Sequence, residues 1–211
     1  ADSHAFYANG ENLNVAGTPS GNIQANASMI IGAYSSSGYD FVGEVEQLII
    51  FGSALSDTDR KLVEKYLGST GGLFSDIPDL STQALESLVA YYDGKTGVET
   101  DGGSVVSWTP IDGNGDSLDE MIVRSTQRGD GAPELIKYGR PGKLIFDDTS
   151  VGADGRYLEG TLSNAESKEL TVFWVGNYSA DAPFATSGAY VYNIGINNTS
   201  HQRDDGKGGF V

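Results

Sequence analysis

The stretch Phe41–Leu67, FVGEVEQLIIFGSALSDTDRKLVEKYL, constrains the chain most, because it writes a strand, a turn and a capped helix in one line. Phe41 to Phe51 is a β-branched and aromatic run of strand length. Strict alternation across a strand predicts that Phe41, Val45, Ile49 and Phe51 share one apolar face. The opposite face begins with Glu44 and Glu46 and turns apolar at Leu48 and Ile50, so this end of the strand is expected to be covered on both sides. Gly52-Ser53 breaks it. Ser56 reads as a helix N-cap with Asp59 three residues on, in a capping-box-like place, and Asp57 and Asp59 suit the positive end of the helix dipole. Leu62, Val63, Tyr66 and Leu67 make one helical face, and Gly68 is a natural C′ residue.

A long strand, the turn Ala54-Leu55-Ser56, a capped helix and the tail Gly71-Gly72-Leu73 resemble the close of LamG-like jelly-roll domains of the concanavalin A-like lectin/glucanase superfamily. Upstream, Tyr7-Ala8-Asn9-Gly10-Glu11 resembles a hairpin of that family, with Asn-Gly supplying the positive φ angles of a type I′ turn. Met29-Ile30-Ile31-Gly32 resembles one of its strands. From Ser87 the pattern resembles the beginning of the same family instead. Leu88–Gly94 matches the opening strand, and Val105-Val106-Ser107-Trp108 a "V-x-x-W" strand. Asp112–Asp116 matches a Gly/Asn loop, and Leu144–Asp147 with Arg156–Leu158 matches paired strands. Leu170–Val175 and Ala189–Ile196 resemble the strands that follow.

The resemblance implies an all-β, jelly-roll antiparallel β-sandwich with one short helix near residues 57–67. The order is inverted: residues 1–72 resemble the C-terminal part of such a domain, residues 73–86 a linker, and residues 87–211 the N-terminal part. In the linker Pro78 marks a turn, and Ser81–Glu86 has the composition of one helical turn. Against the usual jelly roll, about two to four middle strands are missing. A segment of a tandem array, a circular permutant, or halves completed by another chain would each produce this order.

Composition narrows the partners. The 211 residues can hold one large sandwich or two small domains, and 38% hydrophobic residues suffice for a core. With 29 acidic and 13 basic residues the formal net charge is −16, which repels nucleic acid and anionic membrane and favours divalent cations or cationic partners. There is no cysteine, hence neither disulfide nor thiolate metal site. No apolar run approaches the ~20 residues of a membrane span, so no membrane insertion is expected. Ala1–Tyr7 has neither the basic nor the apolar region of a signal peptide and reads as the middle of a domain. The resemblance implies an extracellular or cell-surface protein whose signal peptide lies outside this sequence.

Several residues are candidates for chemistry. Glu44 and Glu46 are carboxylates about 7 Å apart along one strand face, near the separation that glycosidases use. The third carboxylate of a jelly-roll glucanase row is absent, because Gln47-Leu48 stands there, and a solvated face is the expected role. Asp112, Asn114 and Asp116 present the alternating oxygens of a calcium loop. Ser117 and Val123 occupy the positions where an EF-hand needs Gly and Glu, so the motif is either another kind of Ca2+ site or a polar turn. Asp147-Asp148 and Asp204-Asp205 are of the same kind. His4 and His201 belong to no recognisable triad or zinc pattern. Tyr34 and Tyr39, framed by Ser and Gly on a loop, are the candidate ligand contacts. Trp108 and Trp174 sit in strand patterns and are expected to pack. Asn26, Asn177 and Asn197–Ser200 carry N-glycosylation sequons.

The function these readings imply is a non-catalytic extracellular binding or adhesion module for a glycan or protein ligand, within a larger multi-repeat surface protein. The alternative is a structural subunit of an extracellular fibre, sheath or shell, including a virion appendage, whose copies join head-to-tail by strand complementation. A glycan hydrolase or lyase is a second alternative. No phosphate-binding loop or basic aromatic surface supports a nucleotide or nucleic-acid partner.

Overall fold

The run of apolar residues that ends at Phe51 becomes a strand with three strand neighbours among the described residues. The computed structural model describes residues 7–8, 11–12, 27–32, 41–67, 79–112, 116–125, 136–139, 142–146, 156–162, 171–178 and 192–195. Within them lie strands β1 (Tyr7–Ala8), β2 (Glu11–Asn12), β3 (Ala27–Ile31) and β4 (Gly43–Phe51), then helices α1 (Asp57–Leu67) and α2 (Thr82–Glu86). The strands β5 (Leu88–Asp93), β6 (Val98–Asp101), β7 (Ser104–Trp108), β8 (Met121–Ser125) and β9 (Lys137–Gly139) follow. Last come β10 (Lys143–Phe146), β11 (Arg156–Leu162), β12 (Thr171–Tyr178) and β13 (Tyr192–Gly195). The fold is all-β and antiparallel.

β1 and β2 form a separate ribbon, with Tyr7 opposite Asn12 and Ala8 opposite Glu11. That register closes the hairpin over Asn9-Gly10, as the dipeptide predicts, although those two residues lie outside the described ones. The other eleven strands form one sheet. Its path runs β12-β4-β10-β9-β7-β8-β11-β3-β13, with β5 also on β4 and β6 also on β7. Strands from both sides of residues 73–86 therefore share it.

The predicted alternation along β4 holds for half its length and then changes phase. Val175 of β12 faces Gln47, but Gly176 faces Val45, so Glu46 is an extra residue, a β-bulge. The bulge turns Val45 toward the same core as Leu48 and Ile50, while Ile49 and Phe51 face a different one. A regular period of two cannot express this, and Val45 does not share a face with Ile49. Gly176 permits the bulge: a Cβ there would lie 2.0 Å from the Glu44 carbonyl oxygen.

The larger core collects Leu48 and Ile50 of β4 with Met29, Ile31, Ala90, Tyr92, Val105, Trp108, Met121, Leu144 and Leu158. These come from strands far apart along the path, so the sheet curls around them. Tyr92 and Trp108 meet edge-to-face at 5.2 Å, as do Phe41 and Phe146 at 5.7 Å. The smaller core lies on the other face. There Ile49, Phe51, Leu88 and Tyr91 are covered by Val63 of α1 and by Leu80 and Ala84 of the α2 region. Covering on both faces, as the sequence predicts for this end of β4, leaves Leu48, Ile49, Ile50 and Phe51 fully buried. At about 1.5–3 kcal/mol each they contribute roughly 6–12 kcal/mol, as much as the whole net stability of a typical domain.

The helices are fixed by one carboxylate. Ser56 Oγ accepts from Asp59 N at 3.1 Å and donates to Asp59 Oδ2 at 2.7 Å, completing the predicted cap. The same carboxylate crosses to the N-cap of α2, accepting from Ser81 N at 3.0 Å and Ser81 Oγ at 3.1 Å. Ser81 Oγ in turn accepts from Ala84 N at 3.1 Å. Thr171 of β12 clamps the intervening turn, donating to Ser53 O at 2.9 Å and accepting from Leu55 N at 3.0 Å.

Candidate functional site

The bulge at Glu46 also divides β4's second edge. On that edge β10 pairs with Gly43–Val45 and β5 with Gln47–Phe51, so the sheet forks at Glu46. The fork is closed by backbone: Gly94 N donates to Glu46 O at 2.8 Å. Gly94 and Gly142 meet so closely that a Cβ on Gly94 would lie 2.1 Å from Gly142 O. Glycine at both places is what lets the turn after β5 and the start of β10 share the gap.

Three charged side chains sit on the outer face beside the fork. Lys143, the first residue of β10, donates from Nζ to Glu44 Oε2 at 2.7 Å and reaches Glu46 Oε1 at 3.2 Å. The hydrogen bond to Glu44, followed by that to Glu46, holds the lysine above its ordinary pKa, so the ammonium stays charged. The one ammonium bonds both carboxylates and offsets one of their two negative charges. They are side by side, as their spacing predicts, but a cation stands between them.

Next to this trio is a shallow notch of about 50 Å3, bounded by Glu46, Gln47, Tyr66, Asp93, Lys95 and Gly142. Gln47 Nε2 donates to the Tyr91 hydroxyl at 2.8 Å at its edge. Burial, then the charge of Asp93, pushes the Tyr91 hydroxyl pKa up, so the phenol stays protonated. Ligand pockets occupy about 300–1,000 Å3; the notch has room for a few waters, not for a sugar ring.

The two ends of the candidate calcium loop are bonded to each other. Asp112 N donates to Asp116 O at 2.9 Å, and Asp116 N donates to Asp112 Oδ1 at 3.0 Å. The flanks are joined as Ile111 bridges Ser117 and Tyr91. One carboxylate oxygen of Asp112 thus bonds the Asp116 backbone, while Asn114 lies outside the described residues. Among the described residues no group of three His, Asp or Glu side chains is placed to hold a metal ion. Tyr34 and Tyr39, Asp147-Asp148, Asp204-Asp205, His4 and His201 also lie outside them.

The aromatic residues divide by depth. Trp108 is fully buried and donates from Nε1 to Asp93 O at 3.2 Å, so it packs, as its strand pattern predicts. Trp174 is half-buried against the larger core and edge-on to Phe41 at 6.0 Å. Tyr91, Tyr92 and Tyr157 are buried.

Lys143, Asp93, Lys95 and Tyr66 are the residues of this site that sequence reasoning did not single out. Lys143 opens β10, Asp93 ends β5 and Lys95 lies in the turn after it, so the β4–β10 and β4–β5 registers bring these three to Glu46, while Tyr66 arrives on α1. A lysine opening an otherwise apolar strand is the one local signal available. No protein-family model matches this chain, and neither does any curated protein or solved structure.

Proposed function

We propose that the chain is a non-catalytic binding or adhesion module of a jelly-roll, LamG-like kind, displayed outside the cell as part of a larger surface protein. Its ligand is a glycan or an extracellular protein, met by loops rather than by a cleft. The observation that carries the non-catalytic part is the Lys143 ammonium lying between Glu44 and Glu46 at 2.7 and 3.2 Å. A retaining or inverting glycosidase needs one carboxyl as acid and another free to act as nucleophile or base. A cation bonded to both opposes that division of roles, and the 50 Å3 notch beside them does not admit a sugar.

The net charge of −16 supports a ligand that is cationic or that bridges through a divalent ion. A glycan and extracellular-matrix protein array, probed with the chain in calcium and again in EDTA, tests the reading. Retained binding in EDTA removes calcium from the mechanism, and no binding in either condition overturns the proposal. The hydrolase alternative is tested by Glu46→Gln. Loss of a glycan-cleaving activity on that substitution would restore the catalytic reading.

A further inference from the structure

The pairing map divides the chain into two parts that depend on each other. β3 and β4 do not pair with one another; β4 pairs with β5, β10 and β12, and β3 with β11 and β13. Among the described residues, every sheet partner of β3 and β4 thus comes from beyond residue 87. In the other direction, the named strands β5 and β12 have β4 as their only strand partner, and β13 has only β3, among the described residues. Without residues 1–67 the remaining strands keep only β10-β9-β7-β8-β11, with β6 on β7. α1 follows the same division, since Val63 packs on β4 and β5 and Asp59 bonds Ser81.

We propose that residues 1–67 are an exchangeable unit, and that a second copy of this chain can complete the sheet of residues 79–211 by donating its own β3, β4 and α1. Exchange reproduces every strand register and the Asp59–Ser81 contact, so the assembled sheet is the same in cis and in trans. Only the link, residues 68–78, takes a different route. Reciprocal exchange closes a dimer, and one-way exchange propagates head-to-tail. An intact link of this length holds the two parts at an effective concentration on the order of millimolar, so cis completion prevails in dilute solution. This inference rests on topology alone and does not depend on the ligand proposed above.

The helix geometry supplies the test. Ser81 N is 3.0 Å from Asp59 Oδ1, in the first turn of α1, whereas Leu67 ends that helix. Eight residues of helix separate Asp59 from Leu67 by about 12 Å, and helical side chains lean toward the N-terminus, away from Leu67. Deleting residues 68–78 from the chain leaves Asp79 and Leu80 to make the return, a reach of only about 10 Å even when extended. Cis completion is then closed off while trans completion stays open.

The deletion variant, sized by analytical ultracentrifugation with near-ultraviolet circular dichroism, is expected to be dimeric or larger with the native aromatic signal. A folded monomer would overturn the proposal. If the deletion variant lacks the native signal, Leu48→Asp and Leu144→Asp chains, each unable to fold alone, are refolded separately and together. Exchange predicts recovery of up to about half the native signal in the mixture only, because intact residues 1–67 from one chain meet intact residues 79–211 from the other. No recovery in the mixture would overturn the proposal.

Discussion

Asp59 shows how one carboxylate can hold two helices. It accepts from the Ser81 backbone N–H, the Ser56 hydroxyl and the Ser81 hydroxyl, and these bonds, the backbone one foremost, hold its pKa below the usual aspartate value of 3.8. A lowered folded-state pKa makes the contribution complete above the unfolded value and loses it as pH falls through the folded one. Asp59→Ala is therefore expected to cost about 1–3 kcal/mol at pH 6 by urea unfolding. The gap to the native chain should narrow as pH drops below 3.8. A gap independent of pH would mean that packing, not the charged acceptor, makes the difference. Gly176 is a second single-residue constraint. Gly176→Ala places a Cβ 2.0 Å from Glu44 O, so β12 must move off the bulge, at an expected cost above about 2 kcal/mol on thermal or urea denaturation.

Among the elements, β4 differs from its neighbours in being paired along both edges and covered on both faces between Gln47 and Phe51. Native-state hydrogen exchange should find its amides in this span among the slowest, opening only with global unfolding, whereas β6, which among the described residues pairs with β7 alone, exchanges by local opening. Comparable protection in β6 and β4 would contradict this. Phe51 is fully buried and meets Phe173 edge-on at 5.9 Å. Phe51→Ala is expected to cost about 3–5 kcal/mol in urea unfolding, because it removes apolar area and leaves a cavity between β4 and the helices.

At the scale of the whole molecule, two properties follow from charge and connectivity. A net charge of −16 on 211 residues makes the folded chain repel itself. Added sodium chloride should therefore raise the thermal midpoint up to the range where screening is complete, a few tenths molar, since the Debye length there is already below about 8 Å. A midpoint that falls with salt would show that local pairs such as Lys143 with Glu44 and Glu46 outweigh the overall repulsion. The pairings of β4 reach from Gln47 to Asp93 and from Phe51 to Thr171. Such separations place folding in the slow, millisecond-to-second range of β topologies, measurable by stopped-flow refolding through Trp108.

Local signals determined much of this protein. Periodicity marks β4 as a strand buried on both sides, and the family resemblance read in the sequence implies the all-β class and the places of β3, β5, β7, β10, β11, β12 and β13. The Ser56–Asp59 cap, the apolar face of α1 and the turn at Ser81–Glu86 are legible because a helix's own termini and face are encoded within a few residues. β6, with the polar run Val98-Glu99-Thr100-Asp101, and β9, only three residues long, carry too little alternation to be read as strands. β8, Met121–Ser125, has the apolar start of a strand but turns polar at Arg124-Ser125, so only three apolar residues mark it. Tertiary structure alone decided the phase change at Glu46, because a bulge depends on the partner strand and on the glycine that lets it approach. It alone decided that Lys143 stands between Glu44 and Glu46, since a register between residues about a hundred apart leaves no trace in either segment. And it alone decided that β3 and β4 pair, among the described residues, only with strands beyond residue 87: burial pattern tells a strand that it needs neighbours on both sides, while only the folded sheet chooses which ones.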